Sequence, residues 1–184
     1  MRLFAGIALD EATRRACAAI TERLRAAGLH ARFEAPEKLH LTLAFLGNVE
    51  GEREATIVET MRVVATRHAP FTLELDRLGA FPHERAPRVI WLGSRRSVRA
   101  YRTLALDLQS AFASLGFSFD PDPVVHVTLA RTVPPRAPLI ALDGIDPIPV
   151  RVTELSLFRS LPANGTTRYE IRAREPLAAL NEGE

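Results

Sequence analysis

Two short stretches, His40-Leu41-Thr42-Leu43 and His126-Val127-Thr128-Leu129, carry the residue types and spacing from which chemistry could be built. Each places an imidazole two positions from a hydroxyl, and in an extended strand residues i and i+2 point the same way. Near neutral pH one imidazole can be uncharged and accept a proton while another is charged and donates one. Two imidazoles flanking a single phosphorus centre would therefore suit in-line phosphoryl chemistry without a metal. The two hydroxyls would donate to the non-bridging oxygens as charge builds on them. With 5 His and 13 Thr in 184 residues, random placement gives only ~0.35 His-x-Thr pairs, so two pairs in matching strands ask for a reason.

The reason lies in the elements that must hold them. Residues 38–46 alternate, with Leu39, Leu41 and Leu43 on one face and His40 and Thr42 on the other. Residues 124–131 repeat the pattern, with Val125, Val127 and Leu129 opposite His126 and Thr128. Ahead of the first strand come a strand over 2–9 and a helix over about 11–27, with Asp10 as N-cap and Gly28 just past its end. Ahead of the second come a strand over 88–93 and a helix over 97–115, whose Val98, Tyr101, Leu104, Ala105, Leu108, Phe112 and Leu115 form one apolar stripe closed by Gly116. A constant offset relates the halves: 126 − 40, 128 − 42, 119 − 33 (Phe33 and Phe119) and 88 − 2 (Arg2 and Arg88) all equal 86. An internal duplication follows, and pseudo-twofold pairing of its halves would bring the two His-Thr pairs face to face across a cleft.

The remaining chain supplies a helix over about 53–67, a strand at 71–75, a proline-rich loop over 133–149, and strands near 150–158 and 167–173 joined by a turn at Pro162-Ala163-Asn164-Gly165. The Ala-rich acidic tail after Pro176 is expected to fray. A hydrophobic fraction of 47% and a charged fraction of 25% in 184 residues are those of one globular domain, and no apolar run is long enough to span a bilayer. Asp10 arrives before a signal-peptide core could be completed, so a cytoplasmic address is expected. The single cysteine, Cys17, reads as a plain packed or half-exposed thiol on a helix. Of 24 basic residues 23 are arginine; this either favours phosphate contacts or reflects a coding bias across the whole chain, and net charge, +2, does not choose.

At the doubled motif the sequence resembles the two-histidine (2H) phosphoesterase superfamily, and within it the LigT-like RNA 2′,3′-cyclic phosphodiesterases once called 2′-5′ RNA ligases. The stretches that carry the resemblance are Arg2-Leu3-Phe4, Leu39 to Gly47, Val89-Ile90-Trp91-Leu92-Gly93, His126 to Arg131 and Gly165-Thr166-Thr167-Arg168-Tyr169. The resemblance implies an α+β, bilobal fold over 1–184, with two antiparallel β-sheets forming a central cleft, helices outside and two interleaved lobes. It implies hydrolysis of a terminal 2′,3′-cyclic phosphate to a 2′-phosphate, with His40 as proton donor, His126 as proton acceptor, and Thr42 and Thr128 gripping the phosphate. The residues by themselves do not say which imidazole is acid and which is base.

By the same resemblance Phe45 and Arg131 line the cleft, for base stacking and for phosphate or ribose contact. Strand parity opposes this, since odd-numbered residues face the core; both side chains reach the cleft only if each strand twists or bulges nearby. No metal ligand set and no cofactor are expected. The expected partners are RNA with 2′,3′-cyclic phosphate ends, tRNA fragments among them, or small cyclic nucleotides, acted on by a monomer away from membranes. Two other readings stay open: a non-catalytic module that holds single-stranded RNA ends, and the same chemistry run as 2′-5′ joining. His30, His68 and His83 lack a paired threonine and read as surface residues, with His83 a candidate for a loop at the cleft edge.

Overall fold

The computed structural model describes residues 1–119, 123–134, 138–142, 144–163 and 166–178. Among them the order of elements is β1 (Arg2–Ala8), α1 (Glu11–Ala26), β2 (Ala31–Phe33), β3 (His40–Asn48), α2 (Glu54–Ala65), β4 (Phe71–Leu75), β5 (Arg77–Phe81), β6 (Val89–Gly93), α3 (Arg99–Ala113), β7 (His126–Thr132), β8 (Ile148–Val152), β9 (Glu154–Ala163) and β10 (Thr166–Pro176). Single 3₁₀ turns precede β3 and α2. Asn164, Gly165 and the tail from 179 onward lie outside the described residues, as does part of the proline-rich segment.

Local chemistry explains the helices. Asp10 caps α1 by accepting a hydrogen bond from the Thr13 N–H at 2.7 Å, and that bond holds the Asp10 carboxyl below the usual carboxylate range. Cys17, Ile20 and Leu24 form the buried stripe of α1. Burial pushes the Cys17 thiol up to about 12, which makes it the packed, unreactive thiol its context suggests. In α3 the buried face is Tyr101, Leu104, Ala105, Leu108 and Phe112.

The strands form one eight-stranded antiparallel sheet in the order β10-β9-β1-β3-β7-β6-β5, with β2 added alongside β7, and a separate two-stranded sheet, β4-β8. This corrects the expectation of two sheets flanking a cleft. The half built on β1 and β3 and the half built on β6 and β7 are continuous, because Leu41 of β3 pairs with Val127 of β7. Both residues are fully buried, so the junction sits on core rather than on solvent. Three strands go beyond the sequence reading: β2, β5, and one more where the single strand expected near 150–158 is two, β8 and β9, in different sheets. β2 is three residues long, and β5 carries Gly79 in mid-strand, which weakens a strand pattern.

The duplication is visible in the pairing. Ala8, Ile7 and Gly6 of β1 face His40, Leu41 and Thr42, while Gly93, Leu92 and Trp91 of β6 face His126, Val127 and Thr128. These partners give 93 − 8 = 85 for the outer strands against 126 − 40 = 86 for the motif strands, so the Arg2 and Arg88 match is displaced by one residue from structural equivalence. The helices are exchanged between the halves: α3 packs behind β3, and α1 packs behind β7.

Candidate active site

A β-bulge at the same place in each motif strand decides which side chains reach the cleft. Opposite β1, pairing passes from Thr42 directly to Ala44; opposite β6 it passes from Thr128 directly to Ala130. Leu43 and Leu129 are therefore the extra residues. Each sends its side chain into the core, as does the alanine that follows, and the alternation is inverted beyond that point. Phe45 and Arg131, placed on the core side by simple parity, emerge on the cleft side with His40, Thr42, His126 and Thr128. Phe45 is 47% exposed and carries the Arg2 guanidinium 5.1 Å from its ring centroid.

Donors from outside the strands satisfy backbone groups around both bulges. The Tyr101 hydroxyl donates to the Thr42 carbonyl at 2.9 Å, and Gln109 Nε2 donates to the Leu43 carbonyl at 2.7 Å. On the other strand the Leu129 carbonyl accepts from the Glu34 backbone N–H at 2.8 Å. These bonds fix an irregular backbone that would otherwise leave polar groups unpaired in the interior.

All six side chains singled out in the sequence line one cavity of about 620 Å³. The ring nitrogens are sorted by their backbone partners. His40 Nδ1 lies 2.6 Å from the Lys38 carbonyl and His126 Nδ1 lies 2.9 Å from the Val124 carbonyl. A carbonyl can only accept, so each Nδ1 carries the proton and donates it. Each Nε2 is left as the nitrogen that can take or give a proton. His40 Nε2 is 3.0 Å from Thr42 Oγ1.

Aromatic rings fix both imidazoles. Phe4, Tyr169 and Phe158 surround His40 at centroid distances of 4.7, 5.2 and 5.5 Å, and Phe81 and Trp91 flank His126 at 5.2 and 6.4 Å. Burial lowers the pKa of both rings from their ordinary value. For His40 the Lys38 carbonyl opposes that shift, the neighbouring His126 adds to it, and the Glu34 carboxylate pulls the other way.

Several residues of the cavity escaped the sequence reading. Glu34 sits between two cations, with Arg131 Nε at 3.4 Å and Lys38 Nζ at 3.5 Å, and Lys38 Nζ also donates to Thr166 Oγ1 at 2.8 Å. Phe4, Tyr169, Ser160 and Arg2 complete the wall next to His40. Lys38 did leave a signal, as the one lysine among 24 basic residues, whereas Glu34 left none. The other histidines lie elsewhere: His30 is exposed, His68 Nε2 meets Asp107 at 2.9 Å between α2 and α3, and His83 lines a separate hollow with Arg77, Arg85 and Trp91. Among the described residues no group of three His, Cys, Asp or Glu side chains is placed to hold a metal, and no helix is long and apolar enough to cross a membrane.

Comparison with known proteins places this geometry. The LigT-like phosphoesterase family model matches residues 7–91. The RNA 2′,3′-cyclic phosphodiesterase of Methanothermobacter thermautotrophicus is 33% identical over 166 residues, covering 87% of this chain and 90% of that protein. The chain belongs to the LigT-like phosphoesterases. The family's structures share its α+β fold of antiparallel strands: Escherichia coli LigT complexed with 3′-AMP superposes with a TM-score of 0.74 at 32% identity, over 96% of this chain and 98% of that one. A further LigT-like relative, the RNA 2′,3′-cyclic phosphodiesterase of Geobacillus stearothermophilus, is 37% identical over 80% of this chain, which spans 48% of that protein's length.

Proposed function

We propose that this LigT-like phosphoesterase hydrolyses the 2′,3′-cyclic phosphate at RNA ends to a 2′-phosphate, with His40 and His126 as its acid and base. One observation carries the reading: two imidazoles from matching strands line one cavity, each with Nδ1 tied to a backbone carbonyl, so that Nε2, which in His40 meets the Thr42 hydroxyl, is the nitrogen that can exchange a proton. The names of the relatives support the substrate class, and the 3′-AMP complex of the Escherichia coli protein supports a nucleotide-sized ligand.

In the proposed step His126 Nε2 takes a proton from water as the water oxygen attacks phosphorus. The bond from phosphorus to O3′ breaks, and His40 Nε2–H gives its proton to that oxygen. The 2′-oxygen keeps the phosphate, and the ring protons return to their starting places by exchange with solvent. Thr42 and Thr128 donate to the non-bridging oxygens, and Arg131 adds a guanidinium. Glu34 supports the choice of His40 as the acid, since its carboxylate favours the charged form of that ring. Phe45, half-exposed at the mouth, offers a face for the terminal base.

Turnover of a 2′,3′-cyclic mononucleotide in the presence of EDTA tests the reading, with ³¹P NMR to identify the product. His40→Ala and His126→Ala should each lower kcat by about 10²–10⁴-fold, the usual worth of a positioned acid or base. Binding without turnover by the unaltered protein would instead support a module that holds RNA ends, and full activity in either variant would remove the two-histidine mechanism.

A further inference from the structure

A second hollow lies beyond the His40 ring from the active-site cavity. Lys38, His40 and Tyr169 also line this second hollow of about 300 Å³, and that hollow shares Ala8, Leu9, Arg14 and Ile171 with a third of about 430 Å³. Through these shared residues the three hollows adjoin in turn beside β10, from Tyr169 to Arg174, as a segmented trough. Five residues at a rise of about 3.4 Å make this stretch about 17 Å long.

The chemistry of the far end differs from that of the catalytic end. Three arginines reach it from three separate elements: Arg14 from α1, Arg151 from β8 and Arg174 from β10. Its floor includes Ile7, Ala8, Leu9 and Ile171. Two carboxylates are present, and both are engaged: Asp10 caps α1, and Glu154 pairs with Arg174. Glu37, exposed, belongs to the middle hollow. Among the described residues the Arg151 side chain has no ion-pair or hydrogen-bond partner.

We infer that this trough is a second binding site, which holds the RNA chain on the 5′ side of the cyclised nucleotide. The inference rests on the function proposed above. A substrate whose reacting group is the last ribose must have the rest of its chain leave the cavity, and the adjoining hollows lead away from it toward the arginines. The cationic rim matches a single strand, whose phosphodiesters can meet the guanidiniums while Ala8 and Ile171, the half-buried apolar residues, lie beneath it. At the stacked spacing of about 3.4 Å the trough admits at most about five nucleotides.

The test compares a pentaribonucleotide ending in a 2′,3′-cyclic phosphate with the corresponding 2′,3′-cyclic mononucleotide, using the unaltered protein, Arg151→Ala, Arg14→Ala and the double variant. The unaltered protein should prefer the pentamer in kcat/KM. The double variant should lose about tenfold or more on the pentamer and stay within about twofold on the mononucleotide. Its pentamer salt dependence should flatten by about 1.4 in log–log slope, at about 0.7 for each single-strand phosphate contact removed. Equal losses on both substrates, no loss on either, or no preference for the pentamer at the outset would overturn the trough. Should the unaltered protein turn over neither substrate, the proposed function fails; the anisotropy of a fluorescent pentamer in the same variants then still decides whether RNA lies there.

Discussion

Gly93→Ala tests how finely the second imidazole must be placed. Gly93 pairs with His126 across β6 and β7, and a Cβ at this position would sit 2.3 Å from the Val125 carbonyl oxygen and 2.8 Å from Cζ3 of Trp91. Real Cβ atoms essentially never approach closer than 3.0 Å, so the strands must part by at least 3.0 − 2.3 = 0.7 Å. The clashing oxygen belongs to the residue before His126, so backbone has to move and a side-chain rotation is no remedy. A displacement of about 1 Å at a reacting group can cost about 10²-fold, and 0.7 Å should then cost roughly 10- to 100-fold in kcat, or about 1.4–2.7 kcal/mol of barrier. Gly6→Ala is the counterpart in the other half, because its Cβ would meet the Leu41 carbonyl oxygen at 2.3 Å, next to His40. Single-turnover hydrolysis of a 2′,3′-cyclic mononucleotide measures the effect, with thermal unfolding by circular dichroism to show that each variant is folded. A folded Gly93→Ala protein with undiminished kcat would refute the view that the backbone pairing sets the chemistry.

Both imidazoles titrate below their ordinary value, so the bell in kcat/KM against pH should be centred on the acid side of 6.5; a rate that stays flat from pH 5 to 9 with chemistry limiting would contradict it. His126→Ala removes a cation that disfavours protonation of His40, so the His40 ring protons followed by NMR should titrate at higher pH than in the unaltered protein. Glu34→Gln acts in the opposite direction: His40 should titrate at lower pH and kcat/KM at pH 7 should fall several-fold, while an unmoved His40 titration would deny Glu34 any electrostatic part. Arg131→Ala should weaken substrate binding by about 1.5–3 kcal/mol, roughly 10- to 150-fold in KM with little change in kcat, as expected for one charged hydrogen bond; an unchanged KM would remove Arg131 from the substrate.

The convergence of the two His-Thr pairs on one cavity was legible because a two-residue period and a doubled unit are properties of sequence. His40 with Thr42 and His126 with Thr128 could be set on one face of their strands before any coordinate was known. The bulges were not legible in the same way, since Leu43 and Leu129 look like ordinary members of an alternating strand. Those bulges form where β1 and β6 pair with the motif strands, which is long-range information. They are the reason Phe45 and Arg131 reach the cleft against simple parity. The merging of two expected sheets into one is equally non-local, because it turns on the Leu41 and Val127 pairing between strands 86 residues apart. Glu34 follows a three-residue strand whose pairing with β7 no local pattern announces.

A site assembled from two copies of one motif begins with two equivalent imidazoles, yet the proposed mechanism requires acid and base to differ. The difference arises in the residues that are not duplicated in kind. His40 sits among Phe4, Phe158 and Tyr169 with the Glu34 carboxylate nearby, whereas His126 has Phe81 and Trp91, and there burial lowers the pKa against the opposing Val124 carbonyl. A carboxylate in a cavity meant for phosphate is costly unless it is paired, and Glu34 is paired on both sides, with Lys38 from the turn before β3 and Arg131 from β7. Its backbone N–H is bonded to Leu129 on the His126 strand, so it extends the pairing of β2 with β7 that, with the Leu41 and Val127 pair, ties the two halves together. On this view one residue does two jobs. It holds Lys38 and Arg131 beside the cavity, and against the burial that lowers the His40 pKa it adds a contribution of the opposite sign, a charge that neither motif contains.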